Sequence, residues 1–298
     1  MKIYSIWNNH AKNGVSTITQ LLAMEYAKTH KDVFVVDASP NCDLSKRLLG
    51  TEENLETCIE SKNTISDLLI DLTSNKDVSS LKYFNQVASF NRTFPANIYL
   101  IAGNDNSELI ARNIDYKFGF KSRTLLKKLP KQKDGIMFID AGSMMSPLSE
   151  MAILAADEII IPFVDTIRNL RLLENSLEII YNKKDDVILS GFVKRCKEHD
   201  IPVPKVSTII RNKASATPLE NTSLGKLVVR YDDDINILSV PNDEVLIDCI
   251  IHCGKPFPQS VFKRNGQCLV MQTERLECIE NTFNSILAKL KTSNINES

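Results

Sequence analysis

The stretch at residues 8–28 combines a tight turn, small residues and a helical pattern, an arrangement that binds phosphate groups in many proteins. Asn13-Gly14 predicts the turn, and the residues from Val15 onward predict a buried helix. Loops of this kind usually carry Gly-Lys-Ser/Thr, in which the lysine reaches the β- and γ-phosphates and the hydroxyl binds Mg²⁺. This chain has Ser-Thr-Ile at residues 16–18 instead, so the chemistry of the loop is altered.

Two carboxylates follow apolar runs that predict neighbouring strands. Asp37 ends "VFVVD" and Asp140 ends "IMFID". Both runs are apolar throughout, as expected for parallel strands covered on both faces. Because ligands bind at the carboxyl ends of such strands, we expect both acids at the edge of one crevice.

The positions of these residues depend on alternating strands and helices. The predicted strands are residues 3–7, 33–36, 98–101, 136–139, 158–162, 206–210 and 235–240, and the predicted helices include residues 16–29, 106–113, 123–129, 167–181 and 244–253. Residues 50–97 predict helices and loops crossing one side of the sheet. This alternation favours an α/β fold, with a mostly parallel twisted sheet and helices on both faces.

Composition sets broad limits on the class of protein. The 298 residues are 43% hydrophobic and 24% charged, which favours one folded domain over residues 1–298, with a C-terminal helix at about 273–290 docked on the core. The net charge of −1 gives no general attraction to nucleic acid or anionic membrane. The odd number of scattered cysteines favours reduced thiols and a cytoplasmic protein, and no apolar run is long enough to predict a membrane span.

Four segments in order resemble the ParA/MinD family of P-loop ATPases. "KNGVSTIT" (residues 12–19) resembles that family's deviant Walker A loop, K-G-G-V-G-K-T-T. The segments that begin at Val33, Asp134 and Ser239 resemble its D-x-D-P motif, its Walker B strand with the following helix, and its late I-P-R-x…G-K-P segment. The resemblance covers roughly the whole chain. It implies a P-loop domain that binds ATP or ADP with Mg²⁺ and dimerises face to face across two nucleotides.

The resemblance also implies roles for individual residues. Lys12 aligns with the signature lysine that reaches the partner's phosphates, and Asp37 and Asp140 align with acids that hold Mg²⁺ through water. Asn212 stands where the family reads the adenine edge, with Pro241 and Asn242 beside the ring. The implied nucleotide site is therefore Lys12, Asn13, Gly14, Val15, Ser16, Thr17, Ile18, Thr19, Asp37, Asp140, Asn212, Pro241 and Asn242.

Departures from the family motif imply weak hydrolysis or none. In this alignment Thr17 replaces the lysine, Ile18 replaces the Mg²⁺ hydroxyl, and Ser39 replaces the acid that positions water. A lysine-to-threonine change resembles the branch that includes CpaE, TadZ and BcsQ. Shortening the loop alignment by one residue would instead place Thr17 at the hydroxyl position, and shortening it by two would place Ser16 there; the sequence leaves all three registers open.

A basic stretch at residues 117–133 and a helical Cys/His cluster give further hypotheses. The basic stretch predicts either a solvated helix face or nonspecific DNA binding through Lys121, Arg123, Lys127, Lys128, Lys131 and Lys133. Asp248, Cys249, His252 and Cys253 share one helix face, for which a buried helix is favoured over a metal site.

The resulting expectation is a nucleotide-dependent dimeric switch that positions or partitions cellular cargo, either in DNA segregation or in polar organisation. Its partners would be a second copy of the chain, an adaptor protein and nonspecific DNA, at the nucleoid or the cell pole. The alternative is a nucleotide-free scaffold for a pilus, secretion or polysaccharide machine.

Overall fold

A computed structural model describes most of the N-terminal two thirds of the chain and short parts of the remainder. The described residues are 1–74, 81–114, 135–164, 166–184, 191–214, 223–241, 262–264, 267–269, 284 and 287–288. The predicted helices 123–129 and 244–253, the basic stretch, the Cys/His cluster and nearly all of the predicted helix 273–290 lie outside them. No described helix is long and apolar enough to cross a membrane.

An eight-stranded sheet forms the centre of the fold, and its order is β3-β4-β2-β5-β1-β6-β7-β8. The strands are β1 (Lys2–Asn8), β2 (Val33–Asp37), β3 (Asn85–Gln86), β4 (Ile98–Ile101), β5 (Ile136–Ser143), β6 (Glu158–Val164), β7 (Lys205–Ala214) and β8 (Asn236–Pro241). A separate antiparallel pair joins β9 (Phe262–Arg264) to β10 (Gln267–Leu269). All seven predicted strands are present, which confirms the predicted sheet.

Helices cover both faces of the sheet, as predicted. They are α1 (Val15–Ala27), α2 (Asp43–Leu49), α3 (Glu52–Glu60), α4 (Ile65–Thr73), α5 (Val87–Phe90), α6 (Ser107–Arg112), α7 (Pro147–Leu154), α8 (Ile167–Tyr181), α9 (Gly191–Glu198) and α10 (Ser223–Val229). Side chains of α1, α2, α3 and α5 share one buried cluster with one sheet face, and those of α4, α6, α7, α8, α9 and α10 share the other. The apolar strands are therefore buried on both faces because each face has its own helical layer.

The region between residues 50 and 97 differs from the prediction in one respect. It contains the expected helices, but it also adds β3, which pairs antiparallel with β4 at one edge of the sheet. The Asn85 side-chain amide donates to the carbonyl oxygens of Asn63, Tyr83 and Leu100. A two-residue strand has no periodicity to detect, since tertiary hydrogen bonds rather than an apolar pattern hold it in place.

The central position of β1 creates the crevice. It pairs in parallel with β5 on one side and with β6 on the other. The chain leaves β1 for β2, returns to insert β5 between them, and then continues on the far side through β6 to β8. The order of the sheet therefore reverses beside β1, and ligands bind outside the carboxyl ends of strands at such a point.

Candidate functional site

Asp37, the last residue of β2, lies beside Asp140 of β5, and β5 continues for three residues beyond Asp140. The two residues are direct partners in the parallel ladder, and neither side chain is exposed to solvent. The expectation that both acids reach one edge of the sheet is confirmed. Two carboxylates at this depth are costly unless protons, hydrogen bonds or a cation compensate them.

Donors from the segment that follows β2 occupy both oxygens of Asp37. Ser39 N donates to Oδ1 at 3.1 Å, and Ser45 donates to Oδ2 through its backbone N at 2.8 Å and its hydroxyl at 2.7 Å. The Ser45 hydroxyl also accepts from Gly103 N at 2.8 Å. Asp37 therefore ties the start of α2 to the sheet, a structural role that its motif did not predict.

Asp140 leaves one oxygen for a ligand. Its Oδ1 accepts from Gly142 N at 2.9 Å, whereas Oδ2 is buried and has no hydrogen-bond partner among the described residues. Burial raises the pKa of this carboxyl group, and the nearby Ser16 hydroxyl opposes that rise in part. A buried acceptor without a partner, next to a hydroxyl, is the kind of position that a bound cation and its water shell satisfy.

Burial raises the pKa of both carboxyl groups well above the ordinary range. Loss of solvation is the main cause for each, and the charge of Asp140 raises the pKa of Asp37 further. The hydrogen bonds from Ser45 and Ser39 to Asp37 oppose this rise only in part. In the absence of a cation, the pair therefore holds a proton more tightly than exposed carboxylates do.

Side-chain hydrogen bonds hold the loop between β1 and α1. Asn13 Nδ2 donates to His10 O at 3.0 Å, and Asn13 Oδ1 accepts from Val164 N at 3.0 Å. Asn212 Nδ2 donates to Asn13 O at 3.3 Å from β7. The loop is therefore attached to β6 and β7, and its backbone is held by the asparagine side chains.

Left-handed backbone conformations occur at two loop residues. Lys12 has φ 65° and Gly14 has φ 88°. Gly14 is the N-cap of α1, and a Cβ added to it would lie 2.3 Å from Asn212 Nδ2. Glycine adopts this conformation without the steric cost that a side chain incurs, so Gly14 meets both requirements and Lys12 carries a strained backbone.

Of the motif residues in the first turns of α1, some lie near Asp140 and others are buried in the core. The helix begins at Val15, one residue before the predicted start, and Ser16 faces Asp140. Ile18 is fully buried in the core, and its backbone N donates to Gly14 O. Thr19 is also fully buried, and its hydroxyl donates to Val15 O. The side chains of Ile18 and Thr19 therefore lie in the interior of the protein and not along the loop.

The predicted adenine-side residues divide into three cases. Asn212 is buried against the loop backbone, as the bonds above show. Pro241 ends β8, where it pairs with Ala214. Asn242 lies outside the described residues. Asn212 therefore supports the loop in this structure, and a role in reading a base stays a prediction.

Arg47 is a site residue that the sequence did not reveal. It lies on α2, and its Nη1 donates to Thr17 Oγ1 on α1 at 3.0 Å. Burial raises the pKa of Asp140 and the positive charge of Arg47 opposes that rise in part, so the guanidinium lies within electrostatic reach of this carboxylate. The sequence shows a basic residue soon after the acid that ends a strand, but only the contact of α2 with α1 shows that this residue lies at the site.

Ser16 and Asp140 have oxygen atoms that suit Mg²⁺, whereas the oxygens of Asp37 are already occupied by hydrogen bonds. Ser16 and the free oxygen of Asp140 are hard oxygen donors next to a helix N-terminus, which suits an ion that retains most of its water and binds phosphate. Asp37 already accepts three hydrogen bonds. Within the described ranges no group of three or more His, Cys, Asp or Glu side chains could hold a metal alone.

Replacing Lys12 by Gly tests the strained loop conformation. We expect Lys12→Gly to raise the free energy of unfolding by roughly 0.5–1 kcal/mol, because glycine removes the left-handed strain and loses part of that gain to unfolded-chain entropy. Lys12→Ala removes the same charge and keeps the strain, so it should change stability by less than about 0.5 kcal/mol. Chemical denaturation measures both; equal stability of the two variants would contradict a left-handed residue 12.

The geometry and the comparisons define a P-loop type of α/β protein. Residues 1–189 match the model of a family described as "AAA domain", and the chain belongs to this family. Among curated proteins, none matches the chain.

Solved structures share the fold over nearly their whole length. McdA from Cyanothece in its ATP complex has 16% identity and a TM-score of 0.65, with 98% of this chain and 96% of that chain covered. A Borrelia burgdorferi protein described as a plasmid partition protein, bound to AMPPNP, has 17% identity and a TM-score of 0.61, with 97% and 99% covered. MinD from Pyrococcus horikoshii with Mg-ADP has 16% identity and a TM-score of 0.59, with 97% and 98% covered. The fold is that of the ParA/MinD P-loop proteins.

Proposed function

We propose that this protein is a ParA/MinD-type switch that binds ATP or ADP with Mg²⁺, dimerises and positions or partitions cellular cargo, with little or no ATP hydrolysis. The observation that carries the proposal is the buried free oxygen of Asp140 opposite Ser16, at the start of α1. An ATP complex of McdA, an AMPPNP complex of the Borrelia partition protein and a Mg-ADP complex of MinD support it by similarity of fold.

The position of Ser16 favours the loop alignment that is shortened by two residues. A hydroxyl that shares a metal with the Walker B acid must lie beside that acid, and Ser16 does so while Ile18 is in the core. Counting back from Ser16, Gly14 takes the last loop glycine and Lys12 takes an earlier glycine position. The positive φ at both residues supports this register.

This register changes the roles of two basic residues. His10 then takes the place of the signature lysine, and Val15 takes the place of the lysine that reaches the phosphates. Burial lowers the pKa of His10, so its imidazole is neutral near pH 7. Lys12 is exposed on the loop and can still face a partner subunit.

Weak hydrolysis follows from the groups that are replaced. Phosphoryl transfer depends on positioned charges, and Mg²⁺ supplies part of that stabilisation when it is bound. The chain has an apolar Val15 at the lysine position and Ser39 where the family places an acid that positions water. Nucleotide binding would then act through the populations of monomer and dimer rather than through turnover.

Calorimetry with ATP and Mg²⁺, run beside light scattering, tests the proposal. We expect wild-type protein to bind ATP and to double its mass. Ser16→Ala should bind Mg-ATP at least about 10-fold more weakly, because it loses the hydroxyl beside Asp140. Lys12→Ala and His10→Ala, compared for loss of the mass doubling, distinguish the unshifted alignment from the one shortened by two residues.

Absence of ATP binding at millimolar concentration would overturn the proposal. The alternative, a nucleotide-free scaffold for a pilus, secretion or polysaccharide machine, would then be the better interpretation of the loop sequence. The choice between DNA partition and polar organisation stays a prediction, since the basic stretch lies outside the described residues.

A further inference from the structure

The loop of this protein supplies little positive charge for a triphosphate. Between Asn8 and Thr19 the basic residues are His10 and Lys12, and α1 contains no Lys or Arg. His10 is neutral near pH 7, because burial lowers its pKa. Backbone N–H groups and the helix dipole stabilise phosphate, but P-loops add a cationic side chain. The site needs a cation from elsewhere if it binds ATP well.

Arg47 is placed to supply that charge. Its Nη1 donates to the Thr17 hydroxyl at 3.0 Å, and Thr17 follows directly after Ser16 in the first turn of α1. The cation therefore lies at the same helix end as the hydroxyl and the free carboxylate oxygen.

Arg47 also has unused binding capacity. Its side chain is partly buried, and among the described residues it forms no salt bridge. Its neighbour Lys46 instead pairs with Glu52 at 3.0 Å on the exposed side of α2. A guanidinium has five N–H donors in a planar fork that matches phosphate oxygens, and the bond to Thr17 uses one of them.

We infer that Arg47 binds the phosphate chain of the nucleotide and replaces the cationic side chain that the loop has lost. The inference rests on the proposed function, because it requires a nucleotide at this site. The Thr17 hydroxyl holds the guanidinium in position before a phosphate arrives. A charge on α2 would also couple nucleotide binding to the segment that Asp37 anchors through Ser45.

The test compares ATP and adenosine binding by wild-type protein, Arg47→Ala, Arg47→Lys and Lys46→Ala. Affinities come from calorimetry for ATP and from displacement of a fluorescent ATP analogue for adenosine. We expect Arg47→Ala to weaken ATP binding at least about 10-fold and to leave adenosine binding within about 2-fold. Arg47→Lys should retain part of the ATP affinity, and Lys46→Ala should bind ATP as wild type does.

The outcomes separate this inference from the proposed function. Equal ATP affinity of wild type and Arg47→Ala would overturn the role of Arg47 and leave the nucleotide switch intact. Equal weakening of ATP and adenosine would also overturn it, since the residue would then support the fold of the site rather than bind phosphate. If the wild type bound no ATP at millimolar concentration, the proposed function would fail, and the role of Arg47 with it.

Discussion

Asp140→Asn is expected to stabilise the ligand-free protein and to abolish Mg²⁺-dependent nucleotide binding. The asparagine keeps an oxygen for Gly142 N and removes one of two buried, adjacent carboxylates. Because one pKa unit corresponds to about 1.4 kcal/mol, we expect removal of one of these desolvated carboxylates to stabilise the ligand-free protein by about 1–3 kcal/mol at neutral pH. The same change removes the free anionic oxygen beside Ser16, so the expected Mg²⁺ site loses its acid.

The free energy of unfolding of the ligand-free protein should fall as the pH rises. Burial raises the pKa of both carboxyl groups in the folded state, so the folded protein binds protons more tightly than the unfolded chain. The stabilisation from these groups is fully present below the unfolded pKa, near 4, and is lost as the pH rises toward neutrality. Ligand-free wild type should therefore lose stability from this pair between about pH 4 and 7, and Asp140→Asn should lose less.

Denaturation of wild type and Asp140→Asn at several pH values, without Mg²⁺ or nucleotide, measures the effect. Asp105→Asn is the matched control, since it removes an exposed carboxylate after β4 and should change neither the pH slope nor the stability by more than about 0.5 kcal/mol. A less stable Asp140→Asn protein at neutral pH would show that the pair is not strained in the folded state. Retained Mg²⁺-dependent ATP binding in this variant would place the metal elsewhere.

The sheet and the two acids could be predicted because their signals are local. Strands buried on both faces are apolar throughout, and each acid directly follows such a run, so the sequence alone predicts that Asp37 and Asp140 lie close together. The sequence could not predict that Asp37 accepts three hydrogen bonds while one oxygen of Asp140 has no partner among the described residues. Ser45 reaches Asp37 only because α2 turns back over the strand end, and this depends on tertiary packing.

The backbone conformation of the loop could not be predicted from the sequence, for a different reason. Gly14 is the one glycine in residues 9–14, yet both Lys12 and Gly14 have positive φ, so residue type does not report the conformation at every position. Lys12 adopts a glycine-like conformation because Asn13 and Asn212 hold the backbone on either side. Arg47 was missed for a related reason, since its bond to Thr17 joins two helices distant in sequence.

Gly14→Ala is expected to destabilise the protein by about 2–5 kcal/mol and to remove nucleotide binding. Left-handed strain contributes about 1–2 kcal/mol of this loss. The new methyl group would lie 2.3 Å from Asn212 Nδ2, and overpacking of this kind costs a further 1–3 kcal/mol, in rough terms. Relief of the contact requires the loop or Asn212 to move, which displaces the N–H groups at the start of α1.

Gly50→Ala separates strain from crowding. Gly50 has the same φ of 88° at the C-terminus of α2, but its added Cβ would lie 3.1 Å from Asn91 Nδ2. Its cost should therefore be close to the strain alone, about 1–2 kcal/mol. Chemical denaturation of both variants measures the difference; equal losses would contradict the close contact between Gly14 and Asn212.

Combining Gly14→Ala with Asn212→Ala tests whether crowding by Asn212 is the cause. Removal of the Asn212 amide opens the space that the methyl group needs, so the double variant should be more stable than the sum of the single losses predicts. It should not recover nucleotide binding in full, because the bond from Asn212 to Asn13 O is lost as well. Stability would then depend on the crowding between residue 14 and Asn212, whereas nucleotide binding would depend on the loop shape that the bond from Asn212 to Asn13 O maintains.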